Sequence, residues 1–463
     1  MTHSFSYRSS NTIDDQQGSV LVSVLVVIAV LLTIFLSVLT YGLSRHSVHI
    51  RSINEMTASY LAESGIQRSL SHANSQGEPG EVTEPAAPNG GSFESKAYAW
   101  GPHWLIISKG AYNGQEVVSS ALVGSRPPKV LEAAVTVTSS DYPLVVTGNT
   151  RIIGDVNTGP AGITEGRIRG EGIVNRDYLQ GENHVHSSIN APQVDSSILR
   201  VYDTERRSRR TAITSVNHGS LLLGAEDTAV LDSRPGLSVD SKLVLRDVSL
   251  SYPTTIKSLF AVSSITIDGD CSLSGLLEIA SDSYIKVEGS SRVSGAVLYA
   301  PDSIVISDHS YFAGTAVTPG KIVVSDSAVL DYPACLIRIP GRPASPNHPS
   351  ISLLSRREHR ATVVAMREVA PELKDRPLIY IDTSVVLSGY ILSEDRTDLR
   401  GSLLGSVATE SFHYELPPTT YVNWAKDVLI SRLHLDHCPP LPIVERSTLE
   451  SGLRVIRLES EAL

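Results

Sequence analysis

Between Val20 and Leu39 the chain reads VLVSVLVVIAVLLTIFLSVL, twenty residues without a charge, a proline or a glycine. At ~1.5 Å of rise per residue, a helix of that length spans roughly 30 Å, the hydrocarbon thickness of a bilayer. Backbone in lipid must satisfy its own hydrogen bonds, so the segment reads as a membrane-spanning helix. No second run of this kind follows. Everything from Arg45 onward is therefore expected on one side of one membrane.

Of 463 residues, about 420 follow the anchor, enough for one large β domain or two to three ordinary ones. Net charge is −10, from 39 basic and 49 acidic residues, which argues against nucleic acid as a partner. Arg206, Arg207, Arg209 and Arg210 form the one basic cluster and read as a solvated loop or an exposed helix face. Cys271, Cys335 and Cys438 are too few and too scattered for a disulfide framework or a CxxC metal site. Tyr outnumbers Phe 17 to 6, and Ser, Thr, Val, Ile and Gly abound, a bias toward strands and turns.

The apolar run exceeds the ~7–15 residues of a secretory h-region, and no A-x-A site follows it, so ordinary signal-peptidase cleavage is not expected. Arg8, Asp14 and Asp15 precede the helix, and Arg45 and Arg51 follow it. By the positive-inside rule alone the C-terminal side would be cytoplasmic, but large downstream domains can be translocated regardless of so small a count.

The string Gln16, Gln17, Gly18, Ser19, Val20, Leu21, Val22, Ser23 resembles the processing site of type IV pilins and pseudopilins. In that family a short polar leader ends in Gly, a dedicated peptidase cuts after it, and the apolar helix follows at once. The resemblance implies a cut between Gly18 and Ser19. The helix then continues through SRHSVHIRSINEMTASYLAESGIQRSL, with Ile53, Met56 and Tyr60 at helical spacing. The stretch Tyr60 to Gln67 is similar to the AEAGI element of minor pilin-like proteins. Two departures stand out. Asp14, Asp15, Gln16 and Gln17 occupy positions where pilins usually carry basic residues. Ser23 stands where most major pilins have Glu, as in certain minor pseudopilins placed at a filament tip. The resemblance covers about residues 14–70. It implies an inner-membrane, single-pass protein with its body outside the cytoplasm, in the periplasm or at the cell surface. Its implied partners are the lipid bilayer and other pilin-like subunits, met through the N-terminal helix. The amphipathic extension could equally pack on its own head domain.

The expected organisation is a polar leader (1–18), a transmembrane and extended helix (19–72), a Pro/Gly/Glu-rich linker (73–92) and a small antiparallel β meander (93–124). Asn113-Gly114 between apolar runs is the hairpin signal. A parallel β-solenoid with loop insertions follows at 130–420, and a helical cap and tail at 421–463. The solenoid rests on a repeat. Ile265, Ile285, Ile304 and Ile322 each open a unit of apolar, polar, apolar and turn residues. Leu273, Val293, Phe312 and Leu330 stand eight residues further on in each. The template recurs at Leu144–Gly154 and Ile379–Gly389, and the clearest coils fall at 262–332 and 378–405. One unit cannot bury its Ile/Val row alone, whereas stacked coils bury a continuous column. An all-β sandwich with evenly spaced strands is the rival. Tyr421 to Leu433, with Val422, Trp424, Val428 and Leu433 near helical spacing, reads as a capping helix. The final LRVIRLESEAL reads as a last strand or a free tail.

For chemistry, Asp268, Asp270, Glu288, Asp308 and Asp326 recur near one turn of the repeat. Stacking would bring some together, as a glycosidase pair or Ca²⁺ ligands require. The alternative is that turns simply demand Asp, Gly and Ser. His184 and His186 share one face of a strand, and His434 and His437 lie beside Asp436 and Cys438, both weak zinc candidates without a matched partner. No nucleophile elbow, P-loop, dinucleotide fingerprint or H-E-x-x-H occurs. No catalytic residue and no cofactor are assigned. The expected function is therefore non-enzymatic: a pilin-like component of a type IV pilus or type II-like secretion apparatus, with a surface or carbohydrate ligand as a further partner. A membrane-anchored carbohydrate-active enzyme and a signal-anchored polymerising scaffold or adhesin are the alternatives.

Overall fold

A computed structural model describes residues 14–76, 81–84, 90–213, 216–217, 219–228, 231, 234–341, 348–367, 376–432, 441–445 and 453–462. The chain is mainly β, with one long N-terminal helix, a small antiparallel sheet and a large parallel solenoid.

Helix α1 (Asp14–Gln76) runs unbroken for 63 residues, roughly 95 Å at ~1.5 Å per residue. Every residue from Val20 to Ile53 is exposed. Further along, Ala58, Ala62, Ile66, Ser69 and Ala73 become buried, spaced by three or four residues as one helix face requires. This stripe lies on an antiparallel sheet of β1 (Val82–Glu84), β2 (Gly91–Trp100), β3 (His103–Tyr112), β4 (Gln115–Ser125) and the C-terminal strand Leu453–Ala462, in that order. Asn113 and Gly114 form the β3–β4 turn, both at positive φ, as a two-residue type I′ turn needs. Gly110 of β3 admits the helix: a Cβ there would sit 2.1 Å from the Ala58 carbonyl oxygen.

The C-terminal strand pairs antiparallel with β4. Leu453–Ala462 is thus a last strand, but of the small sheet. Everything between Ser125 and Leu453 is an insertion between two neighbouring strands of that sheet. Its ends meet: Ser125 bridges Leu441, and Ser125 Oγ accepts the Val444 N–H at 3.0 Å.

The insertion is a three-sided parallel solenoid, and the sequence repeat is its circuit. Ile265, Ile285, Ile304 and Ile322 are successive ladder partners on one side. Leu273, Val293, Phe312 and Leu330 are partners on the next. Ile279, Leu298, Ala316 and Leu336 are partners on the third. All twelve are 1% exposed or less, so the three rows fuse into one column of packed side chains. Beyond residues 340–349 the first side continues through Ile351 and Ile379.

Coil order departs from chain order. Val407 pairs with Val135, Ala425 with Val146 and Ile430 with Ile152. The coils at 135–185 therefore stack beyond the C-terminal coils. Helix α2 (Ser196–Ala212), N-capped by the Asp195 carboxylate, carries the chain toward the opposite end, where Leu221–Leu223 stands as a ladder strand.

Residues 421–432 do not form the expected capping helix, and Leu433 lies outside the described residues. The strand Thr419–Val422 runs into this stretch, and Trp424–Lys426 and Leu429–Ser431 follow within it. Ala425, Val428 and Ile430 point into the column. Asn423 and Asp427 stand at φ 62° and 58°, a left-handed conformation that ends a helix but turns a coil. Short strands broken by such corners imitate a helical spacing of apolar residues.

Among the described residues three histidines are buried, His103, His359 and His413. His103 opens β3, and His359 sits beside the column, where Nδ1 accepts the Leu330 N–H and Nε2 donates to the Ser355 carbonyl. Burial pushes His103 down to about 3 and lowers His359 as well. The unfolded chain takes up these protons below its ordinary value near 6.5 while the folded one does not, so stability falls as pH falls. From pH 7 to 5.5 the loss is expected to be about 1–2 kcal/mol. Urea unfolding at the two pH values measures it, and His103→Gln should flatten the slope.

Candidate functional site

The N-terminal half of α1 is bare. Val20, Leu25 and Phe35 are 63%, 62% and 66% exposed. A helix apolar all round, with nothing against it, is built to enter lipid or a bundle of other helices. Among the described residues it is the one helix long and apolar enough to cross a membrane. Gly18 and Ser19 fall in its first turns. Ile53, Met56 and Tyr60 stay exposed. The head is packed by the alanine-rich stripe instead, so the amphipathic extension carries two faces.

The acidic row forms corners. Asp247, Gly269, Gly289, Asp308 and Asp326 occupy equivalent turns of successive coils, all at φ between 57° and 74°. Where the residue is Asp, its carboxylate accepts a hydrogen bond from an adjacent coil or from its own corner. Asp247 accepts the Asp270 N–H at 2.8 Å and Asp308 the Gly289 N–H at 3.0 Å. Asp326 accepts the Ser325 hydroxyl at 2.9 Å. Asp268 takes Arg246 at 2.7 Å and the Gly269 N–H at 2.7 Å. The guanidinium of Arg246 and that N–H hold its carboxyl below the usual range. Glu288 pairs with Lys286. Sugar hydrolysis needs one carboxyl kept protonated beside another that is ionised, and Asp268, held low, fits only the ionised role. The recurrence of Asp follows from the backbone: each corner needs a left-handed residue and a cap for an orphan N–H.

His184 lies on the exposed terminal coil with Nε2 3.7 Å from Asp155, and His186 Nε2 is 3.2 Å from Asn157 Oδ1. Among the described residues no group of three His, Cys, Asp or Glu side chains is placed to hold a metal. His434, His437 and Cys438 lie outside the described residues. Cys271 and Cys335 are buried free thiols, and burial pushes Cys335 up to about 12.

The basic cluster is neither a loop nor a solvated face. Arg209 grips Glu278 with two hydrogen bonds of 2.9 Å, and Arg210 grips Asp282 at 2.7 and 2.8 Å. Arg206 lies 3.9 Å above the Tyr299 ring centre. Only Arg207 keeps its charge largely in water, beside Asp203. Glu278 is fully buried. These arginines clamp α2 to the solenoid. The signal was a single charge inside the apolar run Leu276, Leu277, Glu278, Ile279, where a buried strand demands a partner.

The geometry defines a class: a helix-and-sheet head with a bare apolar helical extension, carrying a β-solenoid as an insertion. No known family profile matches the chain, and no curated protein matches it. Among solved structures, the competence-associated pilin ComZ from Thermus thermophilus is similar at 11% identity, with 89% of this chain and 98% of that chain covered and a TM-score of 0.20.

Proposed function

We propose that the protein is a non-enzymatic, pilin-like subunit of a type IV pilus or type II-like secretion apparatus, holding its solenoid outside the inner membrane. The observation that carries this reading is the division of α1. One continuous helix has a bare apolar half long enough for a bilayer, and its other half is packed across an antiparallel sheet. Such a rod can leave the membrane sideways into a bundle of like rods without disturbing its head, because no residue from Val20 to Ile53 is buried against the body. The Gly18–Ser19 junction at the start of the rod supports the same reading. N-terminal sequencing of the chain, produced in a host with a prepilin peptidase, tests it. A mature chain beginning at Ser19 is expected; one that still begins upstream of Gly18 overturns the reading.

A further inference from the structure

The chain is poor in aromatic residues, at 6%, yet four of them line one outer face near the C-terminal coils. The strand Ser402–Leu416 runs out of the ladder and turns back as a hairpin onto Thr419–Val422, with Tyr414 opposite Tyr421. Their ring centres are 6.3 Å apart, and Tyr421 and Trp424 are 5.1 Å apart, both pairs tilted. The Arg400 guanidinium lies 5.1 Å from the Tyr414 ring and 5.4 Å from Tyr380, extending the row to a fourth ring.

These rings are held, and they are half-open to water. All four are intermediate in burial, whereas Trp100 and Trp104 are 1% and 7% exposed. Arg400 is fixed by three hydrogen bonds to Asp398, at 2.9, 3.2 and 2.8 Å, and by the Glu415 carbonyl at 3.2 Å. Arg169 donates to the Pro417 carbonyl at 2.9 Å and pins the hairpin tip to the neighbouring coil. Asn423 donates to the Tyr142 carbonyl at 2.9 Å. A surface already ordered loses little entropy on binding.

We propose that Tyr380, Tyr414, Tyr421 and Trp424 form a platform for an uncharged polysaccharide. The charges on the face are paired, Arg400 with Asp398 and Lys426 with both Asp427 and Glu171, which leaves one negative charge in excess. The one carboxylate in excess works against an acidic ligand, and no cluster of like charge is left to draw a strongly basic one. What the face offers is a row of flat apolar rings edged by phenol hydroxyls and fixed charged groups. A pyranose ring matches that offer: its C–H face stacks on an aromatic ring while its hydroxyls reach the polar edge. A lipid surface or an apolar peptide would have to desolvate the ion pairs without replacing their water. The platform does not depend on the filament reading, since a chain that keeps its leader would bind equally.

The full-length protein, in a detergent without a sugar headgroup, tests this with soluble cellulose ether, mannan and dextran as neutral probes and polygalacturonate as the acidic one. Acrylamide quenching reports Trp424, because Trp100 and Trp104 are buried. The expected result is saturable protection of that fluorescence by at least one neutral probe. Affinity should fall roughly tenfold in Tyr421→Ala and in Tyr414→Ala, with Tyr421→Phe close to the wild type. Protection in the unaltered protein stands as evidence even if the alanine variants fail to fold. No protection by any neutral probe overturns the proposal. So does protection that survives at full strength in a folded Tyr414→Ala/Tyr421→Ala chain, or binding confined to polygalacturonate and lost in salt.

Discussion

Arg209→Met is expected to lower the unfolding free energy by about 3–5 kcal/mol, because it leaves a buried carboxylate without its cation. Glu278 has no exposed surface, and Ser258 Oγ at 3.1 Å would be a remaining donor to it. In solution the two halves of the pair attract only modestly net of dehydration, so the expected loss comes from orphaning one charge rather than from the strength of the pair. The double variant Arg209→Met/Glu278→Leu should therefore recover most of the loss. Chemical denaturation of the three chains checks this. A double variant as unstable as the single one would mean that α2 depends on the ion pair itself.

Gly110→Ala is the second large effect, at about 3 kcal/mol. The added methyl would lie 2.1 Å from the Ala58 carbonyl oxygen and 2.5 Å from the Ala62 nitrogen. Both are backbone atoms of a regular helix, which cannot step aside one residue at a time. The helix must lift from β3, exposing Ala58, Ala62 and Ile66 together. Thermal unfolding should move down, and limited proteolysis should open new cuts between Ala58 and Ala73. An unchanged protease pattern would contradict the account of how the rod is seated on the head.

The repeat was legible because a solenoid writes its register into the chain. Each coil must place one Ile or Val inward at the same point of its circuit, so Ile265, Ile285, Ile304 and Ile322 align by eye and pair in space. The same uniformity hid the stacking order. Every coil presents a similar inward row, and nothing in Leu144 to Ile152 marks Ala425 to Ile430 as its neighbour rather than the next coil along the chain. The insertion was hidden for a related reason. The strand Leu453–Ala462 pairs with β4 across more than three hundred residues, and a strand's own pattern does not name its partner. The stretch after Tyr421 imitates a capping helix because two left-handed corners, Asn423 and Asp427, give its strands the apolar spacing of a helix. Of the candidate site, the bare helix was plain from composition alone, since twenty uncharged apolar residues have few places to go. The arginine clamp and the aromatic face were not, because both depend on side chains brought together from coils far apart in sequence.

The claim beneath the whole account is that the apolar half of α1 lives in lipid. Sedimentation of alkali-washed membranes from cells making the full-length chain tests it most directly. The protein is predicted to stay in the pellet and to leave it only when detergent is added. Recovery in the washed supernatant, folded and without detergent, would contradict it.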